Sequence, residues 1–126
     1  MFKRIDHIEI IPTDFDRSVK FYTEVLGFSI KEQMAVAAAP LEEIAYLALG
    51  DTVLELMRVK DPTITTAEPW STGYRMMALE VEDMDAALAY LAGKGITPSW
   101  GPVQLGPSKR AEIRDCDGFS IELRQW

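Results

Sequence analysis

The chain has little of the chemistry that small redox and metal-cluster domains use. Its 126 residues include one cysteine, Cys116, and one histidine, His7. A single thiol forms no disulfide within the chain and does not suffice for a cysteine-based metal cluster. We therefore expect Cys116 to be a small filler in a strand, and we expect any site chemistry to rest on other side chains.

Positive charge and long apolar runs are also scarce. The sequence has 13 Lys and Arg against 20 Asp and Glu, a formal net charge of -7, and no basic run. Such a surface repels phosphate backbones and anionic lipid, so neither nucleic acid nor a membrane is an expected partner. No apolar stretch approaches the length of a membrane span, and the first residues enter a strand pattern without the apolar segment of a secretion signal. We expect a cytoplasmic protein.

The chain does contain an internal repeat. Residues 7–22 align without a gap with residues 76–91, and residues 53–57 align with residues 120–124. Repeats of this kind indicate copies of one structural unit. The equivalent pairs include His7 with Met76, Asp14 with Asp83, Asp16 with Asp85, and Glu55 with Glu122.

The repeat and the length together predict one domain built from two modules. An apolar share of 48% is ample for one core in a chain of this size. We predict a single domain, residues 1–126, with a first module at 1–60 and a second at 74–126. The Pro- and Thr-rich stretch 61–73 is the predicted linker.

Each module is predicted to fold in the order β-α-β-β-β, which is an α+β class. β-Branched stretches predict the first strands, and apolar residues at helical spacing predict the helices. Proline-rich residues 97–108 are predicted to be a loop or an edge strand. The predicted strands are Ile5–Ile11, 28–36, 43–49 and 53–59 in the first module, and Arg75–Val81 and 119–126 in the second. The predicted helix caps are Thr13 or Asp14 and Asp83, and the predicted helix ends are Gly27 and Gly95.

Four segments carry a resemblance to a known family: residues 5–8, 21–28, 49–56 and 115–123. Ile-Asp-His-Ile opens a strand, Phe-Tyr-Thr-Glu-Val-Leu-Gly-Phe closes a helix, and the last two segments each carry a turn followed by a strand with a central Glu. The chain resembles the vicinal oxygen chelate superfamily, which includes glyoxalase I, methylmalonyl-CoA epimerase, extradiol dioxygenases and bleomycin resistance proteins. The resemblance implies a glyoxalase-like fold, in which two modules form a curved mixed sheet around a metal-lined cleft.

The resemblance also implies where a metal would bind. Ligands in the family come from the first and last strands of each module, positions held here by His7, Glu55, Met76 and Glu122. Met76 stands where metal-dependent relatives commonly have His, and a thioether is a weak ligand for the ions those enzymes use. The implied ligands are therefore His7, Glu55 and Glu122, and the implied cofactor is a divalent Ni, Zn, Mn or Fe ion. Glu122 is the implied catalytic proton shuttle.

Side-chain alternation along the strands supports a polar cavity independently of the family. If His7 faces inward, Glu9 does too, and the same parity turns Glu55 inward between two leucines. Arg124 shares the face of Glu122, where it would hold a substrate carboxylate; an ion pair to Glu122 or Glu9 is the alternative. The other polar residues have the alternative of ordinary solvated positions. The predicted substrate-binding residues are Glu9, Met76 and Arg124.

Three functional classes follow. The favoured class is a metal-dependent lyase or isomerase of the glyoxalase I or epimerase type, acting on a small carbonyl-bearing substrate. The second is a metal-free binding or sequestration protein of the bleomycin resistance type, for which Met76 is the best argument. The third is an extradiol-type dioxygenase, which two carboxylate ligands suit less well. Relatives of this length usually dimerise, so we expect a homodimer.

Overall fold

The two copies of the repeat fold into two similar four-stranded sheets. The structure, a computed structural model, describes residues 1–65 and 69–126. The chain divides into two units, Met1–Thr65 and Thr66–Trp126, and each unit holds one copy of the repeat. Most of the predicted linker, 61–73, falls within these described ranges, while residues 66–68 lie outside them.

The first unit begins with a short strand and a helix and continues with three longer strands. Its sheet has the order β1-β4-β3-β2, in which β1 is parallel to β4 and the other pairs are antiparallel. A π-helical turn, Phe21–Val25, extends the helix. The elements are β1 (Ile8–Ile10), α1 (Phe15–Lys20), β2 (Ser29–Ala38), β3 (Leu41–Leu49) and β4 (Thr52–Val59).

The second unit repeats this topology. Its sheet has the order β5-β8-β7-β6, and β5 is parallel to β8 while the other pairs are antiparallel. The predicted α+β class with two β-α-β-β-β modules is confirmed. The elements are β5 (Met77–Glu80), α2 (Met84–Gly93), β6 (Trp100–Leu105), β7 (Ser108–Arg114) and β8 (Ser120–Gln125).

The helices begin and end where the sequence predicts. The Asp14 carboxylate accepts a hydrogen bond of 3.1 Å from the Arg17 amide, and the Asp83 carboxylate accepts one of 2.8 Å from the Ala86 amide. Glycines with φ of +80° and +79°, Gly27 and Gly95, follow the two helices. Both aspartates are therefore N-caps, which satisfy amide groups that the helix itself leaves without a partner. No helix among the described residues has the length and hydropathy needed to cross a bilayer.

Three local expectations differ from the structure. β1 is shorter than the predicted Ile5–Ile11 strand, because only residues 8–10 find parallel partners on β4, and Ile5 is largely exposed. Residues 97–108 do contain an edge strand, β6, which pairs only with β7. Cys116 is not in a strand; it lies in the turn between β7 and β8, where the Asp115 carboxylate accepts the amides of residues 117 and 119.

The apolar core of each unit lies on one face of its last strand. Leu54 and Leu56 on β4 are almost completely buried, and so are Ile121 and Leu123 on β8. Helix α1 lies against β4, and α2 lies against β8. Since neighbouring residues of a strand point to opposite faces, this burial turns the intervening glutamates away from the helices.

The capping aspartates yield a test of the fold. We expect Asp83→Ala to lower the free energy of unfolding by about 1 kcal/mol, because the Ala86 amide loses its acceptor. Urea denaturation followed by circular dichroism measures the change. Glu82→Ala, at the exposed neighbouring position, is the matched control and should stay within about 0.5 kcal/mol of the parent. Equal effects of the two substitutions would contradict the capping role.

Candidate functional site

Two glutamates meet on the face of the first sheet that α1 does not cover. Glu9 on β1 is paired in register with Glu55 on β4. Glu55 is only 5% exposed, although its side chain points away from the core face of β4, where its neighbours Leu54 and Leu56 lie. A carboxylate held so far from water is costly unless a cation or hydrogen-bond donors compensate its charge.

His7 supplies the compensating group. Its Nε2 lies 3.1 Å from Oε2 of Glu55 and 3.3 Å from Oε1 of Glu9. On the other side of the ring, Nδ1 lies 2.9 Å from Oδ2 of Asp6. The Asp6 contact orients the imidazole, so that one ring nitrogen faces both glutamates.

Tyr46 on β3 completes the cluster. It is paired in register with Glu55, and its hydroxyl donates a hydrogen bond to that carboxylate. Its ring packs edge-on against His7, with a centroid distance of 5.9 Å and an interplanar angle of 78°. Tyr46 therefore helps to fix the positions of both residues.

The electrostatics of this cluster show an excess of negative charge. Hydrogen bonds to Asp6 and then to Glu9 raise the pKa of His7, and the His7 contact lowers the pKa of Asp6. Burial, followed by the charge of Glu9, raises the pKa of Glu55. Burial and the Glu55 charge likewise raise the pKa of Tyr46. A cation placed among the carboxylates would offset these effects.

The donor set fits a divalent ion. One ligand atom from each of His7, Glu9 and Glu55 lies within 4.8 Å of the other two, and within the described ranges this is the one group of three such residues so close together. One imidazole with two carboxylates suits Mn, Fe, Ni or Zn and leaves coordination positions open for water or substrate.

In the second unit, Glu122 occupies the position equivalent to Glu55. It is paired in register with Glu112 on β7, and its Oε1 accepts a hydrogen bond of 2.7 Å from Nε of Arg124. The Arg124 guanidinium also lies 5.1 Å from the centre of the Trp126 ring. The ion pair considered as the alternative role of Arg124 is thus present, and substrate binding by Arg124 stays a prediction.

An open cavity of about 480 Å³ lies beside Glu122. Its volume falls in the range of small-molecule sites, roughly 300–1,000 Å³. Met76, the equivalent of His7, lines this cavity together with aromatic and charged side chains. The lining residues are Trp70, Arg75, Met76, Trp100, Leu105, Arg110, Glu112 and Glu122.

The predicted site residues thus fall into two groups. The structure brings His7, Glu9 and Glu55 together in the first unit, and it places Met76 and Glu122 at one cavity of the second unit with Arg124 beside Glu122. Sequence reasoning missed Asp6, Tyr46 and Arg110. Alternation along β3, where Ala45 and Leu47 are buried, was the available signal for Tyr46. Adjacency to His7 was the signal for Asp6.

Comparisons with known proteins agree with this fold. The family model of the Glyoxalase/Bleomycin resistance protein/Dioxygenase superfamily matches residues 4–123. A probable lactoylglutathione lyase of Vibrio parahaemolyticus is 31% identical over 128 residues, which cover 97% of this chain and 90% of the relative. Human mitochondrial methylmalonyl-CoA epimerase is 28% identical over 134 residues, which cover 97% and 73%.

A solved structure shares the fold as well. The glyoxalase family protein of Enterococcus faecalis superposes with a TM-score of 0.84 at 26% identity, and the match covers 98% of each chain. The two-module architecture is therefore a property of a wider group of proteins.

Proposed function

The chain belongs to the Glyoxalase/Bleomycin resistance protein/Dioxygenase superfamily, and on that premise we propose that it is a metal-dependent lyase or isomerase of the glyoxalase I or epimerase type. Its substrate is a small carbonyl-bearing molecule. The observation that carries the proposal is the His7 ring nitrogen, which faces the carboxylates of Glu9 and Glu55. The names of the Vibrio and human relatives support the reaction class.

The proposed metal ligands are His7, Glu55 and Glu122, which would hold a divalent Ni, Zn, Mn or Fe ion. Glu9, expected from the sequence to contact substrate, is close enough to His7 and Glu55 to be a further carboxylate ligand. The bound ion supplies polarisation of the substrate carbonyl.

The chain's own residues then move the proton. The Glu122 carboxylate takes a proton from the carbon next to the carbonyl and returns it, either to the neighbouring carbon in a lyase or isomerase or to the other face of the same carbon in an epimerase. The 2.7 Å hydrogen bond from Arg124 fixes the orientation of that carboxylate. Met76 lies at the cavity wall as a neutral side chain beside the reacting groups.

A metal-free binding protein is the second candidate function. The residue that supports it is Met76, which stands where metal-dependent relatives commonly have His. A site with a thioether in place of an imidazole has a lower affinity for a divalent metal ion. The open cavity would then hold its ligand without turnover. A ring-cleaving dioxygenase ranks third, since no feature of the site favours it over the other two.

Metal titration separates the first candidate from the second. Isothermal titration of the wild type with Mn, Ni and Zn should show one ion per chain. Glu55→Gln and Glu122→Gln should lose that binding, because a neutral amide does not replace the charge of a carboxylate. Asp6→Asn should weaken it by about 10–100-fold, because the imidazole loses its orienting partner.

Two further variants make the titration decisive. Glu42→Gln, an exposed carboxylate on β3, is the matched control and should bind as the wild type does. Met76→His should tighten binding by adding an imidazole ligand. If the wild type takes up none of these ions while Met76→His does, the site is a degenerate metal site and the binding protein is the better assignment.

Isotope exchange tests the proton transfer whichever product forms. With metal present, the wild type should exchange deuterium from solvent into the carbon next to the carbonyl of its substrate, measured by NMR across thiol adducts of methylglyoxal and malonyl thioesters. Glu122→Gln should slow exchange by about 10²–10⁴-fold. Glu80→Gln, an exposed carboxylate on β5, should not. Unchanged exchange in Glu122→Gln would remove Glu122 from the catalytic role.

A homodimer is the proposed assembly. Edge strands β2 and β6 both leave apolar side chains exposed, among them Ile30, Met34, Val103 and Leu105. Exposed edges with apolar side chains favour association between chains. Sedimentation equilibrium at micromolar concentration should therefore give twice the chain mass. A single species of one chain mass would contradict it.

A further inference from the structure

On the open face of the second sheet, two neighbouring cross-strand pairs each consist of side chains with the same charge. Glu112 is paired with Glu122, and two residues further along the strands Arg110 is paired with Arg124. Residues directly opposite in an antiparallel pair have side chains on the same face. The intervening pair, Ala111 and Leu123, is buried on the other face. One pair is therefore carboxylate against carboxylate, and the next, about 7 Å away, is guanidinium against guanidinium.

The carboxylate pair is compensated within the protein. Glu122 accepts a hydrogen bond from Nε of Arg124, and Glu112 lies 3.4 Å from Nη2 of Arg75. Arg124 gains a further contact from the ring of Trp126. Three of the four paired charges thus have an oppositely charged neighbour.

Arg110 is the exception. Its Nε donates a hydrogen bond of 2.9 Å to the hydroxyl of the fully buried Ser108, which is neutral. Within the ranges 1–65 and 69–126, no carboxylate lies at ion-pair distance from its guanidinium. Like charges directly opposite each other on a sheet are destabilising. Ser108 fixes the side chain at Nε and leaves both terminal amino groups, which form the fork that matches a carboxylate, for another partner.

The same guanidinium lines the cavity beside Glu122. Arg110, Met76 and Glu122 all contribute to its wall. The four charged residues of the wall are two arginines and two glutamates, and their formal charges sum to zero. A ligand with one negative charge is therefore repelled less by the glutamates than a ligand with two. A ligand monoanion fits this balance, whereas a phosphate dianion would meet the two carboxylates one pair away.

We propose that Arg110 is the anion-binding residue of this cavity, and that the substrate is a short-chain oxo acid or acyl compound bearing one free carboxylate. The carboxylate pairs with the terminal amino groups of Arg110, and the reacting carbon lies toward Glu122. This inference rests on the proposed function for the identity of the reacting end, and on the structure of the second unit alone for the anion site.

The test is a binding titration that needs neither metal nor turnover. The metal-free protein is titrated by NMR with succinamate, which bears one free carboxylate, and with succinamide, which has the same shape and no charge. Succinamate should bind more tightly than succinamide. Arg110→Gln should weaken succinamate binding at least tenfold and leave succinamide unchanged. Arg110→Lys should be intermediate, because an ammonium replaces the two-pronged contact with a point charge.

Arg114→Gln is the matched control, since Arg114 is an exposed arginine of the same strand that donates to the Gly118 carbonyl. It should bind succinamate as the wild type does. Urea denaturation of every variant confirms that each is folded at the titration temperature. If Arg110→Gln is not folded, Arg110→Lys alone tests the role of Arg110. Inorganic phosphate, added as a competitor, should displace succinamate poorly.

Several results would overturn the inference. They are equal binding of succinamate and succinamide, no succinamate binding by the wild type, wild-type binding in the folded Arg110 variants, or equal loss in Arg114→Gln. Stronger binding of phosphate than of succinamate would overturn the carboxylate assignment. Succinamate binding through Arg110 in a protein that takes up no metal would leave this inference standing and reject the proposed function, so the two failures are distinguishable.

Discussion

Burial of alternate apolar residues on β4 and β8 is the constraint on which both candidate sites depend. Each buried leucine or isoleucine contributes about 1.5–3 kcal/mol, and each strand buries two of them against its helix. A slip of one residue would expose both, so the register is strongly determined. Glu55 and Glu122 have to face the opposite way, whatever their charge costs there. The apolar side of the sheet therefore positions the polar side.

The two copies have diverged in the charge that they present on that polar face. His7 and Glu9 in the first copy correspond to Met76 and Ala78 in the second, so that of these positions and Glu55 only the last has a carboxylate equivalent, Glu122, in the second copy. The second copy instead carries two arginines across one cross-strand pair. The first copy thus groups carboxylates around one imidazole, whereas the second places two guanidinium groups opposite each other.

How much of this arrangement the sequence predicts depends on the range of the interaction. Alternation, helix spacing and capping are local, and they predict the modules, the capping roles of Asp14 and Asp83, and the opposite orientations of Leu54 and Glu55. The pairing of Arg110 with Arg124 was not predictable, because it requires the register of β7 against β8, and no pattern in the sequence predicts the strand at residues 108–114. The short length of β1 was not predictable either, because the strand ends where its pairing with β4 ends and not where its β-branched composition ends.

The π-helical turn at Phe21–Val25 accommodates a difference in length between the two copies. The distance along the chain from Asp14 to Gly27 exceeds that from Asp83 to Gly95 by one residue. The first copy absorbs this residue in the wider turn, where the Leu26 amide bonds to the Phe21 carbonyl five residues earlier. The glycine that follows keeps a φ of +80°, almost the +79° of its counterpart. The extra residue is thus confined to one turn of helix, and the strands before the two helices pair in equivalent registers, Glu9 with Glu55 and Ala78 with Glu122.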